Sequence, residues 1–213
     1  MFFLQNRLLI AFLKLYTQTV HFIRKGTNMK NKTGIYVFLS CVVILAACAP
    51  TVMAQATSNL RSPDVIYVPT PQDVVEGMLK IADVKAGDIV YDLGSGDGRI
   101  PITAVQKFGA VRAIGIDIDP QRIKEANENA VNAGVTDKVK FLNQDLFTTD
   151  FSEATVITLY LLPSLNVKLR PQLWELKPGT RIVSHSFDMG DWAPEKTENI
   201  NGRIIYFWTV PGK

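Results

Sequence analysis

The chain has 213 residues, a formal net charge of +3 and a composition that is 47% hydrophobic, enough for one domain with an extension. The charge is unevenly divided: all six charged residues up to Ala56 are Lys or Arg, whereas from Thr57 onward seventeen Lys and Arg face twenty Asp and Glu, a net of −3. A slightly acidic domain has no electrostatic footprint for nucleic-acid phosphates. With Cys41 and Cys48 both in the apolar leader and only His21 and His185 as histidines, a disulfide, a thiol nucleophile and a Cys- or His-cluster metal site are excluded from the domain.

Residues 1–56 read as that leader. Gly34 to Ala54 carries no charge and follows Lys30 and Lys32. Counted from Met29, the positive start, the apolar run and the small residues near Ala54-Gln55-Ala56 describe a signal peptide. Leu45-Ala46-Ala47-Cys48 resembles a bacterial lipobox, with Cys48 as the lipidated residue. About 20 apolar residues also suffice to span a bilayer, so a retained anchor is a third reading. Each one implies membrane contact or export to the periplasm and leaves the side of the membrane open. Residues 1–28 form a weaker apolar stretch that fits a start assigned too early. Residues 57–63 read as a linker and residues 64–213 as the domain.

Within the domain, Thr70-Pro71-Gln72-Asp73 supplies a cap, a first-turn proline and an acid before Val74, Val75, Met78, Leu79 and Ala82, which predicts an opening helix. Asp88 to Asp92 is a buried-strand pattern entering the glycine loop Gly94-Ser95-Gly96-Asp97-Gly98. Ile100, Ala104 and Phe108 mark a helix that stops at Gly109. Val111 to Asp117 is a second strand, and Asp119-Pro120 caps a helix with Ile123, Ala126 and Ala130 inside, ending at Gly134. Strands over Val139 to Leu142, Thr155 to Leu161 and Arg181 to Ser186 follow, with a helix from Ser164 to Trp174 between the last two. Asn201-Gly202 joins two strand-like runs, a hairpin signal. Strands alternating with helices imply an α/β fold: a doubly wound, mainly parallel seven-stranded sheet with a C-terminal antiparallel hairpin. Its ligand sits at the carboxyl ends of the strands.

The glycine loop follows a strand and opens a helix, as a nucleotide-binding loop must. The dinucleotide fingerprint places its third glycine three positions after the second, where this chain has Arg99; here the third glycine is Gly98. A carboxylate at Asp92 would repel a pyrophosphate but suits S-adenosylmethionine, which carries an ammonium and a sulfonium and no phosphate. Asp117, at the end of the second strand, is placed for the ribose hydroxyls, with Ile118 beside it. Asp145 follows the third strand, where it can accept the adenine amino group while Leu146 lies against the ring.

Val90-Tyr91-Asp92-Leu93-Gly94-Ser95-Gly96-Asp97-Gly98-Arg99-Ile100 is similar to motif I of the class I, Rossmann-like methyltransferases. Tyr67-Val68-Pro69-Thr70, Asp145-Leu146-Phe147 and the segment from Arg181 to Trp192 resemble the mitochondrial lysine methyltransferases that modify the ATP synthase c-ring protein and the adenine nucleotide translocase. The resemblance covers about Asp64 to Val210. It implies that Asp92, Gly94, Ser95, Gly96 and Gly98 surround the methionine part, Asp117 the ribose, and Asp145 with Leu146 the adenine. It also implies a protein substrate, a membrane protein included. The fourth strand ends in Tyr160-Leu161-Leu162-Pro163 and not in the Asn/Asp-Pro-Pro-aromatic signature of many amino-group methyltransferases, so that catalytic motif does not carry over.

Methyl transfer needs positioning and a shielded site more than a dedicated base. Tyr160, Tyr67 and His185 are the candidates for the acceptor side, and Trp192 and Trp208 for its walls or for plain packing. Besides a lysine methyltransferase, the readings to be separated are a small-molecule methyltransferase, a non-catalytic S-adenosylmethionine-binding module and a nicotinamide-dependent oxidoreductase. Arg99 and Asp92 argue against the last.

Overall fold

The computed structural model describes residues 60–212. The leader over residues 1–56, and with it the signal-peptide, lipobox and anchor readings, lies outside the described residues, as do residues 57–59.

Among the described residues there are seven strands, short apolar runs apart from the polar β6: β1 (Ile89–Leu93), β2 (Arg112–Asp117), β3 (Val139–Asn143), β4 (Val156–Leu159), β5 (Arg181–His185), β6 (Lys196–Ile200) and β7 (Arg203–Thr209). Their order in the sheet is β3-β2-β1-β4-β5-β7-β6. The first five are parallel, and β7 runs antiparallel to both β5 and β6. The hairpin closes through Asn201 (φ 51°) and Gly202 (φ 83°), both left-handed as a two-residue turn of the primed type requires. Its second arm lies inside the sheet and its first arm at the edge. Composition accounts for this: Ile205, Phe207 and Trp208 of β7 are buried, whereas Lys196, Thr197, Glu198 and Asn199 of β6 are all exposed, as an edge strand must be to avoid further pairing.

Alternate residues of each central strand go to opposite faces. Val90, Ala113, Val156 and Val183 pack under α1 (Gln72–Ile81), α2 (Arg99–Phe108) and α3 (Pro120–Ala133). Tyr91, Ile114, Ile157, Ile182 and Trp208 face α4 (Pro163–Trp174) and the loop residues Phe151 and Leu176. The predicted stops hold, with α2 ending at Gly109 (φ 73°) and α3 at Gly134 (φ 67°). The Asp119 carboxylate accepts from the Gln121 amide as the cap of α3.

Two expectations are corrected. α1 starts at Gln72 with Pro71 in the cap position and no side-chain cap, because the hydroxyl of Thr70 is engaged elsewhere. β4 stops at Leu159, two residues short of the expected end, because Tyr160 and Leu161 leave the ladder to line a cavity.

At the amino ends of the strands, Asp88 is held from three sides. Its carboxylate accepts from the Lys85 amide at 2.8 Å and the Thr155 hydroxyl at 2.8 Å, and it pairs with Arg181. Arg181 also donates to the carbonyls of Ala82 at 2.8 Å and Asp83 at 2.6 Å, tying the turn after α1 to β5. Among the described residues no helix is long and apolar enough to cross a membrane.

Candidate functional site

A cavity of about 240 Å³ opens at the carboxyl ends of β1, β2 and β4. Its floor is the glycine loop. The amides of Gly94 and Ser95 both donate to the carbonyl of Ile116, at 2.8 and 3.0 Å, and the Gly96 amide donates to Asp117 Oδ2 at 2.8 Å. The loop is therefore sewn to the end of β2. Gly96 (φ 52°) and Gly98 (φ 80°) take left-handed backbone conformations, and a Cβ on either would run into the ring of Tyr67 or of Phe141. These two positions are closed to other residues both by conformation and by space.

The carboxylates set the electrostatics. Asp92, 2% exposed, accepts from the Thr158 hydroxyl at 2.6 Å. Burial pushes its carboxyl up to about 7 against that hydrogen bond, helped by the charges of Asp117 and Asp97. Asp117 is also raised by burial, although the amides of Gly96 and Asp119 donate to it. Burial would push Asp97 up too, but the Arg99 guanidinium, bonded to it at 2.6 Å, holds its carboxyl below the usual range.

The roof is a strap over residues 61–70, fastened at three points. Arg61 donates to Asp145 from Nε at 2.6 Å and Nη2 at 3.2 Å, and also pairs with Asp64. The Tyr67 ring packs over Gly96, with the Arg122 guanidinium 4.7 Å from its centroid. Thr70 accepts from Arg99 Nη1 through its carbonyl at 2.8 Å, and its Oγ1 lies 3.2 Å from Nδ1 of His185.

Of the predicted cofactor residues, Asp92, Gly94, Ser95, Asp117, Ile118 and Leu146 line the cavity. Gly96 and Gly98 shape the loop from behind. Asp145 faces Arg61 and not the cavity, and its carboxyl is held down by that guanidinium. Tyr160 and Tyr67 both line the cavity. His185, 1% exposed, stands behind Tyr160 with ring centroids 3.9 Å apart, and Phe187 stacks on Tyr160 at 6.2 Å. Trp192 and Trp208 belong to the packing of the opposite face, where Trp208 Nε1 donates to the Trp192 carbonyl at 2.8 Å. The sequence reading missed Arg61 and Arg99 and treated the start of the strap as a linker. The one available signal was the compact Tyr-Val-Pro-Thr run before α1.

The donor set fits S-adenosylmethionine. Two carboxylates raised by burial and with no guanidinium bonded to them, the buried Asp92 and the half-buried Asp117, make a place for a cationic ligand and a poor one for a diphosphate. Ser95 Oγ, buried against Gly115 with no partner among the described residues, is a further hydrogen-bonding group left in the cavity wall.

Residues 92–196 match the ANTKMT methyltransferase domain. The chain is 50% identical over 153 residues to a protein-lysine N-methyltransferase of Saccharolobus islandicus, covering 70% of this chain and 95% of that protein. It is 33% identical over 131 residues to the adenine nucleotide translocase lysine N-methyltransferase of Mus musculus, covering 61% of this chain and 56% of that protein. Among solved structures it is similar to an RNA methyltransferase from Salinibacter ruber in complex with S-adenosyl-L-homocysteine, with 58% identity and a TM-score of 0.67 over 68% of this chain and 95% of that one.

Proposed function

The chain belongs to the S-adenosylmethionine-dependent methyltransferases, in the family of the ANTKMT methyltransferase domain, and from that premise we propose that it methylates the side-chain amine of a protein lysine. The names of the Saccharolobus and mouse relatives support a lysine acceptor. The observation that carries the reading is the cavity itself, with the carboxylates of Asp92 and Asp117 toward the glycine loop and the Tyr160 ring at the end of β4. When bound, S-adenosylmethionine supplies an electrophilic methyl carbon on a sulfonium. Asp92 and Asp117 bind its cationic and ribose parts, and the strap of residues 61–70 excludes water from above. Tyr160 and Tyr67 wall the acceptor side, where a phenol oxygen can accept a hydrogen bond from the incoming amine and aim its lone pair. His185 supports Tyr160 from behind.

An RNA acceptor is the second reading, favoured by the Salinibacter structure. Against it stands the net charge of −3 from Thr57 onward, since phosphate binding calls for the opposite charge. A small-molecule acceptor is a third. The test incubates the full-length chain with S-adenosylmethionine carrying a labelled methyl group and an extract of its own cells. Label that survives nuclease, disappears with protease and maps by mass spectrometry to methyl-lysine supports the proposal. Label lost to nuclease, or found only in small molecules, overturns it. The Gly34 to Ala54 stretch supports placement at or beyond a membrane, which fractionation with carbonate washing checks.

A further inference from the structure

The strap over the cavity is extended chain without a neighbour. Its side chains alternate: Val65 and Tyr67 are half-buried in the cavity wall, whereas Ile66 and Val68 are 90% and 56% exposed, the period of two that a strand shows. Among the described residues, however, no backbone N–H or C=O of residues 64–69 has a backbone partner. The segment is held in place without one. Arg61 fastens one end to Asp145, Arg99 holds the Thr70 carbonyl at the other, and the Tyr67 ring rests over Gly96 between them, so little ordering is left for a partner to impose.

An unpaired edge with apolar side chains is a template for another chain. Ile66 is the most exposed large hydrophobic among the described residues, and Leu162, 43% exposed, adds a further apolar side chain beside the lining residues Leu161 and Leu165. An occupant has to meet two requirements at once: apolar contact for those side chains and hydrogen bonds for the backbone. Lipid hydrocarbon meets the first and not the second. A small molecule cannot span residues 64–68, which cover roughly 17 Å when extended. A protein segment in extended conformation meets both.

The geometry points to residues 64–68 as a docking strand. The protein substrate lies beside them as an added strand, bonded through its main chain, with the acceptor lysine turned into the cavity toward Tyr67 and Tyr160. The inference rests on the lysine reading and deepens it, because the pairing fixes which neighbours the lysine can have. In a paired strand the residues that share a face with Val65 and Tyr67 point inward, and those between them point outward with Ile66 and Val68. The lysine takes an inward place, so the residues immediately before and after it lie against Ile66 and Val68, and at least one of them is apolar.

The labelled-methyl assay on the full-length chain and an extract of its own cells tests this with strap variants, with calorimetry of S-adenosylhomocysteine alongside. Ile66→Ser combined with Val68→Ser should lower the initial rate of protein labelling by about tenfold through lost apolar contact, while S-adenosylhomocysteine binds as it does to the wild type. Val65→Pro and Ile66→Pro remove an N–H from opposite edges, and at least one of them should fall about tenfold below the alanine variant of the same position. Methyl-lysines mapped by mass spectrometry should have an apolar residue on at least one side. Hydrogen exchange on the chain alone should find the amides of residues 64–68 unprotected.

Protection there means that the chain itself or a second copy already fills the edge, which overturns the proposal. So do proline variants no worse than alanine, a double serine variant that labels protein at the wild-type rate, and methyl-lysines flanked on both sides by polar residues. A double serine variant that loses S-adenosylhomocysteine assigns those side chains to the cofactor and overturns it as well. The lysine reading fails separately, when the wild type places no label on protein lysine; the docking strand fails when the wild type does so and the strap variants follow it.

Discussion

The two ends of the sheet treat buried carboxylates in opposite ways. At the amino ends, Asp88 is matched by Arg181, Thr155 and a backbone amide. At the carboxyl ends, Asp92 has a single hydroxyl for company and two other acids nearby, and burial leaves it poised near 7. The first arrangement leaves no uncompensated charge, so removing any one partner is what destabilises it. The second costs stability because its counter-charge has to come from a ligand. One sheet thus separates the residues that hold it together from those that make it bind.

That contrast can be broken or sharpened experimentally. The largest effect belongs to Arg181→Met, which leaves Asp88 buried without its cation and should cost about 3 kcal/mol in urea unfolding, while the affinity of the folded fraction for S-adenosylhomocysteine stays the same. Asp92→Asn should do the reverse. Affinity for S-adenosylhomocysteine falls by roughly ten- to a hundredfold, yet the unliganded protein at pH 8 melts at or above the wild-type temperature, because no charge remains to be desolvated.

The third prediction concerns pH. Asp92 in the folded, unliganded protein titrates near 7, above the ordinary 3.8, so the folded state holds more protons than the unfolded one between those values. Stability of the unliganded protein therefore declines as pH rises from about 4 to about 7. A cationic ligand needs the ionised form. Affinity should thus improve about tenfold from pH 6 to pH 8, with a proton released on binding below pH 7; Asp117 and Asp97 supply the neighbouring negative charge, and Thr158 the hydrogen bond, that modulate the midpoint. Flat affinity over this range would remove Asp92 from the binding site. The smallest effect belongs to Arg61→Ala. Its ion pairs are more than a third exposed on the arginine side, so global stability should change by less than about 1 kcal/mol, with faster release of S-adenosylhomocysteine in stopped-flow measurements as the visible consequence.

The fold was largely legible because its punctuation is local. Gly109, Gly134 and Asn201-Gly202 end or turn elements through their own backbone preferences, and the strands are short apolar runs that need both faces covered. The cavity wall was legible where position along a strand decides it: Asp92 lies next to the last residue of β1 and Asp117 ends β2, and the chain direction alone carries them to the cavity. It was hidden where a distant partner decides. Asp145 follows β3 just as expected, but its carboxylate is taken by Arg61, 84 residues earlier. Thr70 has every local mark of a helix cap, but a buried histidine 115 residues later competes for its hydroxyl and wins. The strap has no periodicity to read, since its conformation comes from the three places where it is fastened. His185 could be placed late in β5, but which side of Tyr160 it would occupy depends on where β4 releases the chain.

The position of β7 bears on how the enzyme comes into being. This strand follows the other six in chain order, yet it lies in the interior of the sheet and sets Ile205 alongside His185. A nascent chain paused before Arg203 presents β5 as a bare margin, and the His185 imidazole, 3.2 Å from the Thr70 hydroxyl, lacks the neighbour that Ile205 provides. Competence for methyl transfer therefore arrives in one step, with β7, and not gradually as the earlier strands emerge. A truncation just before Arg203 should abolish the reaction as completely as one that removes the glycine loop.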